Sequence, residues 1–153
     1  MALAEIIGKD IGQDTLLINK GSKDGLSKNL PVITSEKVLV GKIAEVYENF
    51  SKVILISNPD SVFDVKIIDN NATGILKGSG GLKISLDFLP QQAQIQKGQV
   101  VVSSVLGGVY PANLLVGLVE DFQKNDVKAF QQADVKLFFN LADLNKVFVI
   151  LEF

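Results

Sequence analysis

Residues 97–122 read KGQVVVSSVLGGVYPANLLVGLVEDF. Two runs of strand-forming residues, 99–104 and 114–122, flank a loop that holds Gly107, Gly108, Pro111 and Asn113 around one aromatic, Tyr110. β-Branched residues suit a pleated backbone, so the expectation is strand, shaped loop, strand. Glycine supplies positive φ or close backbone approach and proline fixes φ, so such a loop is specified residue by residue.

The segment has an earlier echo. Residues 28–35 (KNLPVITS) align with 97–104 (KGQVVVSS), sharing a lysine, a valine, a hydroxyl pair and an apolar partner. Four residues separate Ser35 from VGKIAEV at 40–46, and eleven separate Ser104 from VGLVEDF at 116–122, a difference of seven. The repeat predicts two related β units, the second carrying an inserted loop, and loops on a rigid scaffold are where function concentrates.

Composition narrows the function. The chain has 153 residues, 47% of them hydrophobic, and a mean hydropathy of +0.30, which excludes general disorder. Two separate halves of this length would each be marginal, so they should pack together. Its apolar runs are too short to span a bilayer. All 15 basic residues are lysine, set against 17 acidic ones for a net charge of −2. Without arginine or a basic excess, nucleic-acid binding is not expected. The absence of histidine excludes Ser-His-Asp and Cys-His catalysis and removes the usual zinc ligands; zero cysteines leave the redox compartment open.

Taken in order, residues 2–9 and 14–19 read as a first hairpin, followed by an ordered loop with Gly21, Asp24-Gly25 and Pro31. A chain opening on a core strand directly behind Met1-Ala2 is expected to be an engineered start with upstream sequence removed. Strands follow at 31–35, 38–47 and 52–56, then a Pro-Asp-Ser break at 59–61 that can open a helical turn, and a strand at 64–69. Asn70-Asn71 suits a tight hairpin. After a strand at 73–77 and a Gly-rich turn, Leu82, Ile84, Leu86 and Phe88 alternate with polar residues and are expected to share one inward face. A polar connection at 89–97 has room for a turn of helix; residues 123–128 form a polar link, 131–139 a strand, 141–145 a helical turn and 146–153 a closing strand. Short strands at regular spacing with minimal helix predict an all-β chain of two small six-stranded β-barrels packed together. The division is expected near Asn70, with subdomains 1–70 and 71–153 and terminal strands free to cross over.

Candidate chemistry is sparse. Asp60 with Asp64, Glu120 with Asp121, and Asp134 match no catalytic or cation-binding spacing and read as surface charges. Ser103-Ser104 has no base to activate it. Val109-Tyr110-Pro111 follows the paired glycines where a phosphate loop would need a helix start. Tyr110 has two readings, an aromatic packing the loop onto its own barrel or an interface anchor. No catalytic, cofactor-binding or metal-binding residue is expected.

In their order these landmarks resemble the extracytoplasmic β domain of the rod shape-determining protein MreC. The resemblance rests on residues 19–26 (NKGSKDGL) leading to Leu30-Pro31-Val32, on Val40-Gly41-Lys42-Ile43, on Val53-Ile54-Leu55-Ile56, on Gly74-Ile75-Leu76-Lys77-Gly78, and on residues 103–117 with Gly107-Gly108-Val109-Tyr110-Pro111 and Val116-Gly117. Asn29, Asn113 and Val105 stand where the family tends to carry glycine; asparagine tolerates positive φ. The resemblance implies a non-enzymatic scaffold of cell-wall elongation that associates with penicillin-binding protein 2, with MreD and with itself. It also implies a place on the extracytoplasmic face of the inner membrane, held by a single-pass helix and coiled coil outside this sequence. The alternatives weighed are a protease-like barrel with unusual hydrolytic chemistry, against which the missing histidine argues, and a periplasmic adaptor or carbohydrate-binding module, against which the missing tryptophan argues. With little net charge, apolar and aromatic anchors near turns should carry affinity. These are Tyr47 and Phe50 beside the Glu48-Asn49 turn, and Gly107, Gly108, Tyr110 and Pro111 in the inserted loop, which the repeat suggests is the counterpart of that turn.

Overall fold

Strand-forming runs broken by Gly, Asn, Asp and Pro fold into twelve strands in the computed structural model, which describes residues 1–123 and 129–153. They are β1 (Ala2–Asp10), β2 (Thr15–Ile18), β3 (Pro31–Ile33), β4 (Leu39–Val46), β5 (Ser51–Leu55), β6 (Val62–Ile67), β7 (Thr73–Gly80), β8 (Lys83–Pro90), β9 (Val100–Ser103), β10 (Leu115–Gln123), β11 (Phe130–Leu137) and β12 (Lys146–Val149). The link expected at 123–128 lies, apart from Gln123, outside the described residues. The strands close into two antiparallel barrels of six, in the orders β1-β12-β3-β4-β5-β2 and β10-β11-β8-β7-β6-β9. Closure leaves neither barrel with an open edge to pair with another chain.

In sequence, the second barrel is inserted between β5 and β12 of the first. The chain passes between them from Leu55 to Val62, at the turn containing Pro59, rather than near Asn70, so β6 belongs to the second barrel. β12 then returns to fill the place between β1 and β3. The position of β12 beside β3 is that of β6 beside β9, so the two barrels are circular permutations of one plan.

The repeat read in the sequence is visible as register. Val32 faces Gly41 and Pro31 faces Lys42, just as Val101 faces Gly117 and Val100 faces Leu118, with a bulge one step on in each pair. On the next strand, Gly41 pairs with Leu55 and Gly117 with Leu137, again with matching bulges. A Cβ at Gly41 would run into the Ile54 carbonyl oxygen, and one at Gly117 into that of Lys136. The glycines therefore mark the same close backbone approach in both barrels.

Helix is confined to three short 3-10 turns among the described residues, Ile11–Gln13, Ser22–Asp24 and Leu141–Asp143, the last of them expected. Residues 58–61 form a turn without helix, and of residues 89–97 the first two complete β8 while the rest are turn and irregular chain; the Ser61 amide donates to the Asn58 carbonyl and the Ala93 amide to that of Pro90. Phe88 does not share the inward face of Ile84 and Leu86. Between its pairings with β11, β8 takes three steps, from Leu86 to Leu89, where β11 takes two, from Ala133 to Gln131; this bulge turns Leu89 inward and leaves Phe88 42% exposed at a φ of +60°.

The barrels share one apolar core cluster, and Asp14 pins their junction. It is 2% exposed, and its carboxylate accepts hydrogen bonds from the Ser57 hydroxyl (2.7 Å), the Leu82 amide (2.8 Å) and the Gly81 amide (3.0 Å). A buried carboxylate needs such partners, and these tie a turn of the first barrel to the β7–β8 turn of the second. A single parallel bridge, Val38 to Leu115, makes a second link.

Candidate partner-binding surface

Tyr47 and Phe50 flank the β4–β5 turn because the hairpin register sets them opposite each other; the Tyr47 amide donates to the Phe50 carbonyl (2.9 Å). Their rings stack at 4.6 Å with planes 17° apart, and they remain 46% and 38% exposed. The hairpin is fixed from beneath: the Ser22 amide donates to the Tyr47 carbonyl (2.8 Å) and the Lys23 amide to that of Glu48 (3.2 Å). The Tyr47 hydroxyl donates to Glu45 Oε2 (2.8 Å), and this bond, with the carboxylate's charge, pushes the phenol above its ordinary value. The result is a rigid aromatic plate open to solvent, with its rotamers already restricted, which lowers the entropy lost on contact.

The loop between β9 and β10 is built differently. The Ser103 hydroxyl donates to the Pro111 carbonyl (2.6 Å) and accepts from the Leu114 amide (2.9 Å), so this serine holds loop geometry. Gly107 (φ 80°), Gly108 (φ 69°) and Asn113 (φ 69°) supply the left-handed backbone, and Asn29 does so at the equivalent of Gly98. Val105, where glycine was the family tendency, has no positive φ. Tyr110 is 2% exposed and meets Phe63 edge to face at 4.8 Å, the packing reading of that residue; burial pushes its phenol up. Gly107 and Gly108 are exposed and Pro111 is half-buried.

The structure does not gather the sequence candidates into one cluster. The rings of Tyr47 and Phe50 contact each other, while that of Tyr110 contacts Phe63. Nor is the Glu48-Asn49 turn the counterpart of the inserted loop: by register that counterpart is the short β3–β4 connection, where the Thr34 hydroxyl accepts from the Val38 amide (3.2 Å) as Ser103 does from Leu114. Sequence reasoning passed over Leu106, which with Val105 forms the exposed apolar tip of the loop at 56% and 65%. An apolar pair directly before two turn glycines was the available signal. It also missed an exposed pair on the second barrel, Phe88 and Phe130 with centroids 5.4 Å apart and Lys77 Nζ 5.1 Å over Phe88.

Twin barrels with exposed aromatic and apolar loop ends make this a double β-barrel domain, and comparison with known proteins specifies which. The family model described as rod shape-determining protein MreC, barrel core, matches residues 6–151, and the chain belongs to that family. It is similar to the cell shape-determining protein MreC of Haemophilus influenzae, 34% identical over 122 residues covering 79% of this chain and 34% of that protein. The corresponding protein of Listeria monocytogenes is 32% identical over 142 residues, covering 90% of this chain and 48% of that one. The chain thus spans between a third and half the length of these relatives. The solved structure of the Listeria protein superposes with a TM-score of 0.86 at 31% identity, over 97% of this chain and 73% of that one. A complex between penicillin-binding protein 2 and MreC from Helicobacter pylori contains a chain of the same fold, with a TM-score of 0.72 at 17% identity over 95% of both. No helix among the described residues is long and apolar enough to cross a membrane.

Proposed function

We propose that this chain is a non-enzymatic scaffold of the bacterial cell-wall elongation machinery and maintains cell shape by holding a peptidoglycan transpeptidase of the penicillin-binding protein 2 type. The observation that carries the reading is the family match over residues 6–151, in a chain whose exposed ends are aromatic and apolar features rather than a convergent set of acid–base groups. In this reading it works on the extracytoplasmic face of the inner membrane, beside MreD and further copies of itself, and the complex solved for the Helicobacter relative supports the transpeptidase as partner. Tyr47 and Phe50 make the contact as a preformed plate. Gly107, Gly108 and Pro111 shape the second contact, whose apolar tip is Val105 and Leu106, and Tyr110 holds that loop from within.

Binding to the periplasmic part of the transpeptidase from the same cell tests this, with melting temperature followed in parallel. Tyr47→Ala or Phe50→Ala should cost about 2 kcal/mol of binding, roughly thirtyfold in affinity, with the fold intact. If both variants bind like the parent, or weaken only as folded protein is lost, the contact lies on another face. Peptidase, esterase and muramidase assays on the same preparation should read zero, and an activity abolished by changing one serine or carboxylate would overturn the scaffold reading.

A further inference from the structure

Where the two barrels meet, a cleft of about 410 Å³ opens beside the Val38–Leu115 bridge. Its lining is mainly apolar: Val38 and Leu115, one from each barrel, with Phe138 and Leu144 from the segment that joins β11 to β12, and Thr34 and Asn140 as its uncharged polar residues. These walls are fixed, because the Leu115 amide donates to the Lys37 carbonyl (3.0 Å) and Phe138 and Leu144 pack on the common core. The charged side chains that line it are both acidic, Glu36 and Asp143, and both are exposed. Hydrogen bonds from its own backbone and from the Ser35 and Thr34 hydroxyls hold the Glu36 carboxyl below its ordinary value, so it stays anionic. Lys37 is not among the lining residues. The volume falls in the range of about 300–1,000 Å³ common for ligand sites.

An apolar floor under an acidic rim selects its occupant. A purely apolar ligand would leave two carboxylates beside a newly dried surface, and an acidic one would repel them. We propose that this cleft docks an extended segment of a partner protein that places an apolar side chain next to a lysine or arginine. The proposal stands on the cleft alone and not on the scaffold reading.

The test uses two decapeptides that share two leucines and one phenylalanine, one carrying lysines and the other glutamates at the remaining charged positions. Each is titrated into the ¹⁵N-labelled chain, with amide shifts read by NMR at low salt. The lysine peptide should move the amides of Val38, Leu115 and Leu144 and bind about tenfold more tightly than the glutamate peptide. In Glu36→Lys/Asp143→Lys, where both changed side chains are exposed and melting temperature checks the fold, the preference should invert. An unchanged preference in that variant, shifts confined to another face, or no binding by the lysine peptide would each overturn the proposal. So would movement of the same amides on concentrating the protein without peptide, since the cleft would then be covered by a second copy.

Discussion

The β3–β4 and β9–β10 connections occupy the same place in two barrels of the same register, yet one is a short turn and the other a folded loop. Both are closed by a hydroxyl that accepts from the residue just before the next strand, Thr34 from Val38 and Ser103 from Leu114. In the longer one the inserted residues bring in a tyrosine that is buried against Phe63 and an apolar tip that is not. An insertion can thus add surface without disturbing its frame, provided it carries its own anchor. The β4–β5 hairpin reaches a similar outcome by another route: its tyrosine lies on the outside, held by stacking and by the loop beneath.

The most severe way to break the equivalence of the barrels is to fill the close approach that both contain. Gly41→Ala and Gly117→Ala each drive a methyl into a neighbouring strand's carbonyl, so the backbone must move, at a cost of about 3 kcal/mol or more in either barrel. Urea unfolding of both variants should show matched losses. A barrel that absorbs its alanine within about 1 kcal/mol would mean that the shared register does not imply a shared constraint.

Next in size is the contrast between the two tyrosines. Tyr110→Ala removes a buried ring and should cost about 3 kcal/mol, whereas Tyr47→Ala removes an exposed one and should cost less than about 1. Burial also raises the folded-state pKa of Tyr110 above the unfolded value of about 10. Above that pH the unfolded chain releases a proton that the folded chain keeps, so stability falls as pH rises. Tyr110→Phe should flatten this alkaline decline in denaturant titrations followed from pH 9 upward. If the slope matches that of the parent, the phenol is not the group responsible.

The paired strands, the repeat and the loop were legible because they are written locally, in β-branched runs, turn residues and a seven-residue offset. What stayed illegible depends on partners distant in sequence. Nothing around Phe88 signals the bulge that puts Leu89 in its place, since that bulge is set by β11 more than forty residues on. The passage between barrels at 56–61 was hidden because β6 has the same pattern in either barrel, and only its pairing with β7 and β9 assigns it. Tyr110 and Tyr47 are both aromatics near turns; Phe63, one strand away in space, decides which of them is buried. Asp14 reads from the sequence only as the start of the second strand of the first hairpin, whereas its bonds reach Ser57 in the passage between the barrels and residues 81 and 82 of the second barrel.

The smallest expected effect probes the finest match, Asn29 against Gly98, which enter β3 and β9 with φ of 72° and 90°. Both amides donate to the adjacent strand in the same way, Asn29 to the Ile43 carbonyl and Gly98 to that of Val119, each at 2.8 Å. Asparagine tolerates this conformation and glycine adopts it freely, but glycine loses more backbone entropy on folding, so the terms oppose. Asn29→Gly should therefore change stability by no more than about 0.5 kcal/mol. Gly98→Asn should behave likewise, because nothing lies within 4 Å of a Cβ built there. Gly98→Val separates conformation from space: the same open surroundings receive it, yet a left-handed valine costs about 1–2 kcal/mol. Thermal melts of the three variants provide the comparison. Equal losses for asparagine and valine at residue 98 would show that the backbone there relaxes out of the left-handed region, and the correspondence with Asn29 would then end at the strand.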